Sequence, residues 1–165
     1  MSVRRGALGA AVVLTAVLVQ SAVLPRVPGP TPELLLLVVL AFALAEGPAS
    51  GAGTGFVAGL LEDVGSDHEL GRMALAYVLA GYLAGVVRTG PDRSRLASLG
   101  AVAAGAMLAV TAYAVEGVLL SDPRTTFTAW VGALAATVAG CVLLAPLVVP
   151  TVRVLVRRLD EEPRR

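Results

Sequence analysis

The residues of this sequence that could do chemistry are few, and most lie in apolar surroundings. Glu46, Glu62, Asp63 and Glu116 stand within or beside long hydrophobic runs, where a carboxylate is costly and therefore a functional candidate by default. Such acids can carry a proton or solute, meet a partner helix, or sit at headgroup depth and stay solvated. Gln20 poses the same question, because an amide in an apolar run must find a hydrogen-bond partner inside the bundle. His68 is the lone histidine, in the acidic stretch from Asp63 to Glu69. Its residue types could hold a divalent cation weakly, but one loop with no further histidine or cysteine reads as a solvated surface. Ser21 and Ser66 have no base to pair with other than His68, and no G-x-S-x-G or H-E-x-x-H pattern occurs. Cys141 is the only cysteine, so it reads as a small core residue with neither a disulfide nor a thiolate cluster. No catalytic, metal or cofactor set emerges, and the chain is read as non-enzymatic.

What must position these groups is a membrane. At 165 residues, 56% hydrophobic and 15% charged, with a mean hydropathy of +0.80, the chain is too apolar for a soluble domain of its size. A net charge of +1 with no basic stripe gives no nucleic-acid surface. Lys, Asn and Ile are absent while Ala, Gly, Val and Arg abound, which reflects a GC-rich genome rather than a function. The start, with Arg4 and Arg5 before an apolar run from Gly6 to Leu24, resembles a signal peptide. That run is longer than a signal h-region and no small-x-small site precedes Pro25, so it is read as an uncleaved first span.

A bilayer core of about 30 Å takes roughly 20 helical residues per crossing. The hydropathy pattern predicts an all-α bundle of six spans, approximately 6–24, 33–47, 49–62, 70–87, 96–120 and 126–149, as a single membrane domain with a basic tail over 153–165. The region from Glu33 to Glu62 is the difficult one, since Gly47, Pro48 and Ser50 interrupt it: two short spans or one broken one. The arginines decide. With six crossings and a cytoplasmic N-terminus, Arg4, Arg5, Arg88, Arg93, Arg95, Arg153, Arg157, Arg158, Arg164 and Arg165 face the cytoplasm, leaving only Arg26, Arg72 and Arg124 outside, whereas five crossings put nine of the 13 outside. Both termini are therefore expected on the cytoplasmic side. Glu62, Asp63 and Glu116 then fall near the outer face and Glu46 near the inner one, where all four can reach headgroup water. Arg153, Arg157 and Arg158 follow the last span at helical spacing and read as an anchor to anionic lipid.

Two stripes of small residues accompany this plan. Gly51, Gly55 and Gly59 lie on one face of the third helix, and Gly81 and Gly85 on one face of the fourth. Helices in lipid associate through close packing, so each stripe marks a contact face, either within the chain or with another subunit, a second copy of the chain included.

In their order along the chain, these signals resemble the MreD family of rod shape-determining membrane proteins. The resemblance runs through Gln20-Ser21-x-x-Leu24-Pro25, Pro32-Glu33 with Leu34 to Leu37, Glu46-Gly47, Gly55-Phe56-x-x-Gly59-Leu60-Leu61-x-Asp63, Gly71-x-x-Ala74-Leu75-x-Tyr77, and Gly81-Tyr82-Leu83-Ala84-Gly85. The second half of the chain carries no comparable signature. The resemblance implies a scaffold of the bacterial inner membrane, without cofactor, that works in cell-wall elongation and peptidoglycan synthesis. It implies binding to the bitopic protein MreC, with a RodA-type glycosyltransferase, a penicillin-binding transpeptidase and MreB filaments as further partners. It also implies a bundle similar in plan to the solute-binding subunits of energy-coupling-factor transporters. On this reading Gly51, Gly55, Gly59, Gly81, Gly85, Tyr77 and Tyr82 are the expected packing or partner-contact residues, and Gln20, Glu46 and Glu116 the expected buried polar groups. The alternative is a transporter-type solute-binding subunit, which needs a pocket lined by groups such as Gln20, Glu46, Thr111 or Tyr113.

Overall fold

A computed structural model describes residues 3–22, 33–66, 69–87 and 94–161. They form six α-helices: α1 (Val3–Ala22), α2 (Leu34–Glu46), α3 (Pro48–Val64), α4 (Arg72–Val86), α5 (Arg95–Leu119) and α6 (Phe127–Glu161). Among the described residues there is no strand. Two segments, Arg95–Leu119 and Phe127–Arg158, are long and apolar enough to cross a membrane, while Gly9–Gln20, Leu34–Glu46 and Arg72–Val86 are shorter apolar helices.

The centre of the bundle is α2. Its sequence is apolar on every side, and a helix of that kind has to be surrounded. Every residue from Leu35 to Leu44 is buried, with α3, α4, α5, α6 and α1 packed around it. At 13 residues it is about 20 Å long. Because neighbouring helices enclose it, its length need not match the lipid.

The difficult region resolves into two helices hinged on a single residue. Gly47 has φ 104° and ψ −170°, a conformation that side-chain-bearing residues avoid, and its N–H still closes the last turn of α2 on the Ala43 carbonyl. Pro48 then opens α3 at a position where a missing N–H costs nothing. The interruption marked in the sequence by Gly47, Pro48 and Ser50 thus shrinks to the single residue Gly47.

The far end of the chain also differs from expectation. The last helix does not stop at Val149 and release a tail at 153 but runs 35 residues to Glu161, through both Pro146 and Pro150. Cys141, Ala145, Val149, Val152 and Val156 are all buried, and their spacing of four, four, three and four draws one stripe along the helix. Continuous packing on that stripe carries the helix past its prolines and through Arg153, Arg157 and Arg158.

Side-chain contacts fix the helix directions. The C-terminal ends of α1 and α3 meet the N-terminal ends of α2 and α4 through Gln20, Leu35, Glu62 and Tyr77. At the opposite end, α4 closes with Gly85 on Pro48 at the start of α3, and Arg153 of α6 reaches Ser98 in the first turn of α5. Successive helices therefore alternate in direction.

Candidate functional site

Polar side chains collect at the bundle end where α1, α3 and α5 finish. Gln20 donates from Nε2 to Glu62 Oε1 at 3.1 Å, and its Oε1 accepts the Leu35 N–H at 3.1 Å. On the other oxygen of Glu62, the Tyr77 hydroxyl donates at 2.7 Å and lies 3.3 Å from Glu33 Oε2. Thr137 of α6 donates to Glu33 Oε1 at 3.3 Å, and the Cys141 thiol lies 3.8 Å from the Glu33 carbonyl. One hydroxyl thus stands between two carboxylates, and the chain of contacts ties α1, α2, α3, α4 and α6 together. In a low-dielectric interior such a network is strong when satisfied and expensive when a member is lost. Tyr77 is 1% exposed, so the hydroxyl serves the network and not a partner.

Beside it, Asp63 does the work of a helix cap from a different helix. Its carboxylate accepts three backbone N–H groups, those of Gly71 at 2.8 Å, Met73 at 3.0 Å and Ala74 at 3.2 Å. These are donors that the first turn of α4 cannot satisfy internally, and a negative charge there is favoured by the helix dipole. Asp63 is 1% exposed. The expectation that it reaches headgroup water is corrected: the chain turns back so tightly after α3 that the next helix begins on top of the carboxylate.

Arg72 extends this end to α5. It is buried, its Nη1 lies 2.9 Å from Asp122 Oδ2 and 3.4 Å from Glu69 Oε2, and its guanidinium sits 4.3 Å from the centre of the Tyr113 ring, a cation–π distance. Gly117 leaves the space, since a Cβ there would strike Arg72 Nη2 and Thr125 Oγ1. The Arg72 hydrogen bond, followed by the Arg124 backbone N–H, holds the Asp122 carboxyl below the usual carboxylate range. Glu116, half-buried on α5, lies within electrostatic reach of the same guanidinium.

The glycine stripes are consumed inside the chain. A Cβ added at Gly51 would land on the Gly81 carbonyl, one at Gly55 on the Tyr77 carbonyl, one at Gly59 on the backbone of Ala74, and one at Gly85 on Pro48. The backbones of α3 and α4 touch along their length, which leaves these faces unavailable to another subunit. Tyr82, by contrast, is 49% exposed on the other side of α4.

The four groups that a solute pocket would need are scattered. Gln20 is in the carboxylate network, Glu46 accepts from Ser50 Oγ at the Gly47 hinge, Tyr113 covers Arg72, and Thr111 lines an apolar groove with Phe127 and Trp130. Asp67 and His68, expected in the acidic loop, lie outside the described residues, as do the side chains of Arg4, Arg5 and Ser21 and residues 88–93.

In the sequence Glu33 is visible only as part of a motif and Arg72 only as a topological count, and nothing marks Thr137. A signal for Arg72 was present, since a cation on the sparsely basic side needs a nearby acid, and Asp122 is the acid in the α5–α6 connection.

Among protein families, the sequence model described as rod shape-determining protein MreD matches residues 5–159. No curated protein and no solved structure matches the chain.

Proposed function

The chain belongs to the rod shape-determining protein MreD family, membrane proteins of cell-shape determination, and we propose that it acts there as a multi-pass scaffold that performs no reaction. It crosses the inner membrane six times with both ends cytoplasmic. The alternating helix directions support that count, and the Arg72–Asp122 ion pair gives a reason for a cation on the outer side. Its bitopic partner is of the MreC type, and through it the scaffold meets the RodA-type glycosyltransferase, the transpeptidase and MreB filaments of peptidoglycan synthesis.

The observation that carries this reading is the division of α3 and α4 into two sides. One side is closed on itself by glycine packing; the other presents Phe56, Leu79 and Tyr82, all substantially exposed. Aromatic anchors beside small residues such as the open Gly53 suit a single partner helix. A scaffold of this kind works by favouring one assembled state of its partners, which needs contacts and no chemistry.

Co-purification in mild detergent tests it. The tagged protein is expected to bring down an MreC-type bitopic protein, and Phe56→Ala with Tyr82→Ala to lose it while the bundle keeps its thermal transition. Retention of the partner by the folded double variant would place the contact elsewhere, and recovery of transporter ATPases instead would favour the solute-binding alternative.

A further inference from the structure

Between the first turns of α5 and the stretch of α6 over residues 145–153 lies a cleft of about 430 Å³. Its walls are of two kinds. Leu99, Pro146 and Val149 form an apolar wall in which Val149 is buried and Pro146 exposed, whereas Arg95, Ser98 and Arg153 stand at the end of α5 and α6 away from the carboxylate network. Ser98 is buried and accepts a hydrogen bond from Arg153 Nη2 at 3.1 Å, which holds that guanidinium at the cleft, while Arg95 is exposed beside it. Among the described residues that line it there is no carboxylate. Pro146 has no N–H and no rotatable side chain, so its turn presents a flat apolar wall that costs little entropy to cover.

We propose that this cleft seats one anionic phospholipid of the cytoplasmic leaflet, its phosphate between Arg95 and Arg153 and its acyl chain along Leu99, Pro146 and Val149. Charge complementarity selects the headgroup: two guanidiniums match a phosphodiester in geometry as well as sign, and a headgroup with no cation of its own leaves that negative charge to them. The apolar wall selects a lipid over a soluble phosphate, and a headgroup at this depth meets the basic end of α6 where the leaflet is negative. The α5–α6 pair, which lacks glycine packing at this level, thereby gains a wedge that fixes the helix carrying Arg157 and Arg158. The orientation of the cleft rests on the topology proposed above.

The test uses the full-length protein in mild detergent, titrated with dioleoyl phosphatidylglycerol or dioleoyl phosphatidylcholine and read by native mass spectrometry. Retention of phosphatidylglycerol is expected to exceed that of phosphatidylcholine by on the order of tenfold or more, since each arginine beside a net anionic headgroup is worth about fivefold and the choline cation offsets that attraction in phosphatidylcholine. Arg95→Gln alone should reduce the preference by about fivefold, and Arg95→Gln with Arg153→Gln should abolish it, whereas Arg157→Gln with Arg158→Gln should leave it intact. Equal retention of both lipids, or a preference that follows Arg157 and Arg158 instead, would overturn the site. Arg95 is exposed, so its single variant keeps the test usable if the double variant fails to fold. The sidedness is read separately: Ser94→Cys in a Cys141→Ser background should react with an impermeant thiol reagent only in inverted vesicles. Reaction in intact cells would sink the topology whatever the lipid result; inside labelling without lipid preference would sink the cleft alone.

Discussion

The α3–α4 pair and the α5–α6 pair are both antiparallel neighbours, yet they are built in opposite ways. In the first, Gly51, Gly55, Gly59, Gly81 and Gly85 let two backbones touch, and Asp63 caps one helix from the end of the other. In the second, large side chains such as Met107, Val115, Phe127, Leu143 and Leu147 remain exposed, Gly100 and Gly132 border open space, and apolar grooves are left between the two helices. Lipid tails are as apolar as leucine, so hydrophobicity alone does not bring helices together; close backbone approach and satisfied polar groups do. The α3–α4 pair is closed along its glycine seam, while the seam between α5 and α6 keeps apolar surface open.

The contrast is easiest to break at the glycines. Gly55→Leu would force a branched side chain into the Tyr77 carbonyl, and backbone cannot step aside as a flexible side chain can. A loss of about 3 kcal/mol or more is expected, at or beyond the upper end for overpacking, seen as failure to purify as a monodisperse species or a collapsed thermal transition. Normal melting of this variant would mean that the two helices are not in backbone contact.

Asp63→Ala comes next. It strands the three N–H groups of Gly71, Met73 and Ala74 near the bundle interior, and a destabilisation of about 2–3 kcal/mol is expected, somewhat above an ordinary cap because three donors share one carboxylate. Hydrogen exchange should localise the opening to the start of α4; uniform exchange across the bundle would contradict the capping role.

Gly132→Leu sharpens the comparison from the other side. Nothing lies within 4 Å of a Cβ at this position, so the thermal transition should stay within about 0.5 kcal/mol of the parent, as for a surface change away from any special feature. A large loss there would show that α5 and α6 are as tightly matched as α3 and α4.

Much of this was legible beforehand. The all-α architecture, the six helices and the small-residue stripes follow from apolar run lengths and the spacing of Gly, because both patterns are local. Boundaries moved by one to three residues except at the end of α6, where a buried stripe outweighed Pro146 and Pro150. The site was less legible. Gln20, Glu46 and Glu116 stood out because a polar group in an apolar run is conspicuous by itself. Glu33 and Arg72 did not, since each sits near a helix end where a charged residue looks ordinary, and Asp63 stood out without its capping role, which depends on where α4 begins.

Composition and periodicity by themselves determined that the chain is a membrane bundle, and the arginine count argued for its orientation, because partition into lipid depends on segment length and charge. Only the tertiary structure decided that Asp63 caps α4, that the Tyr77 hydroxyl stands between Glu33 and Glu62, and that the glycine stripes face each other. Those facts depend on which helices are neighbours, and residues 44 positions apart, as Glu33 and Tyr77 are, carry no mark of their pairing until the chain is folded.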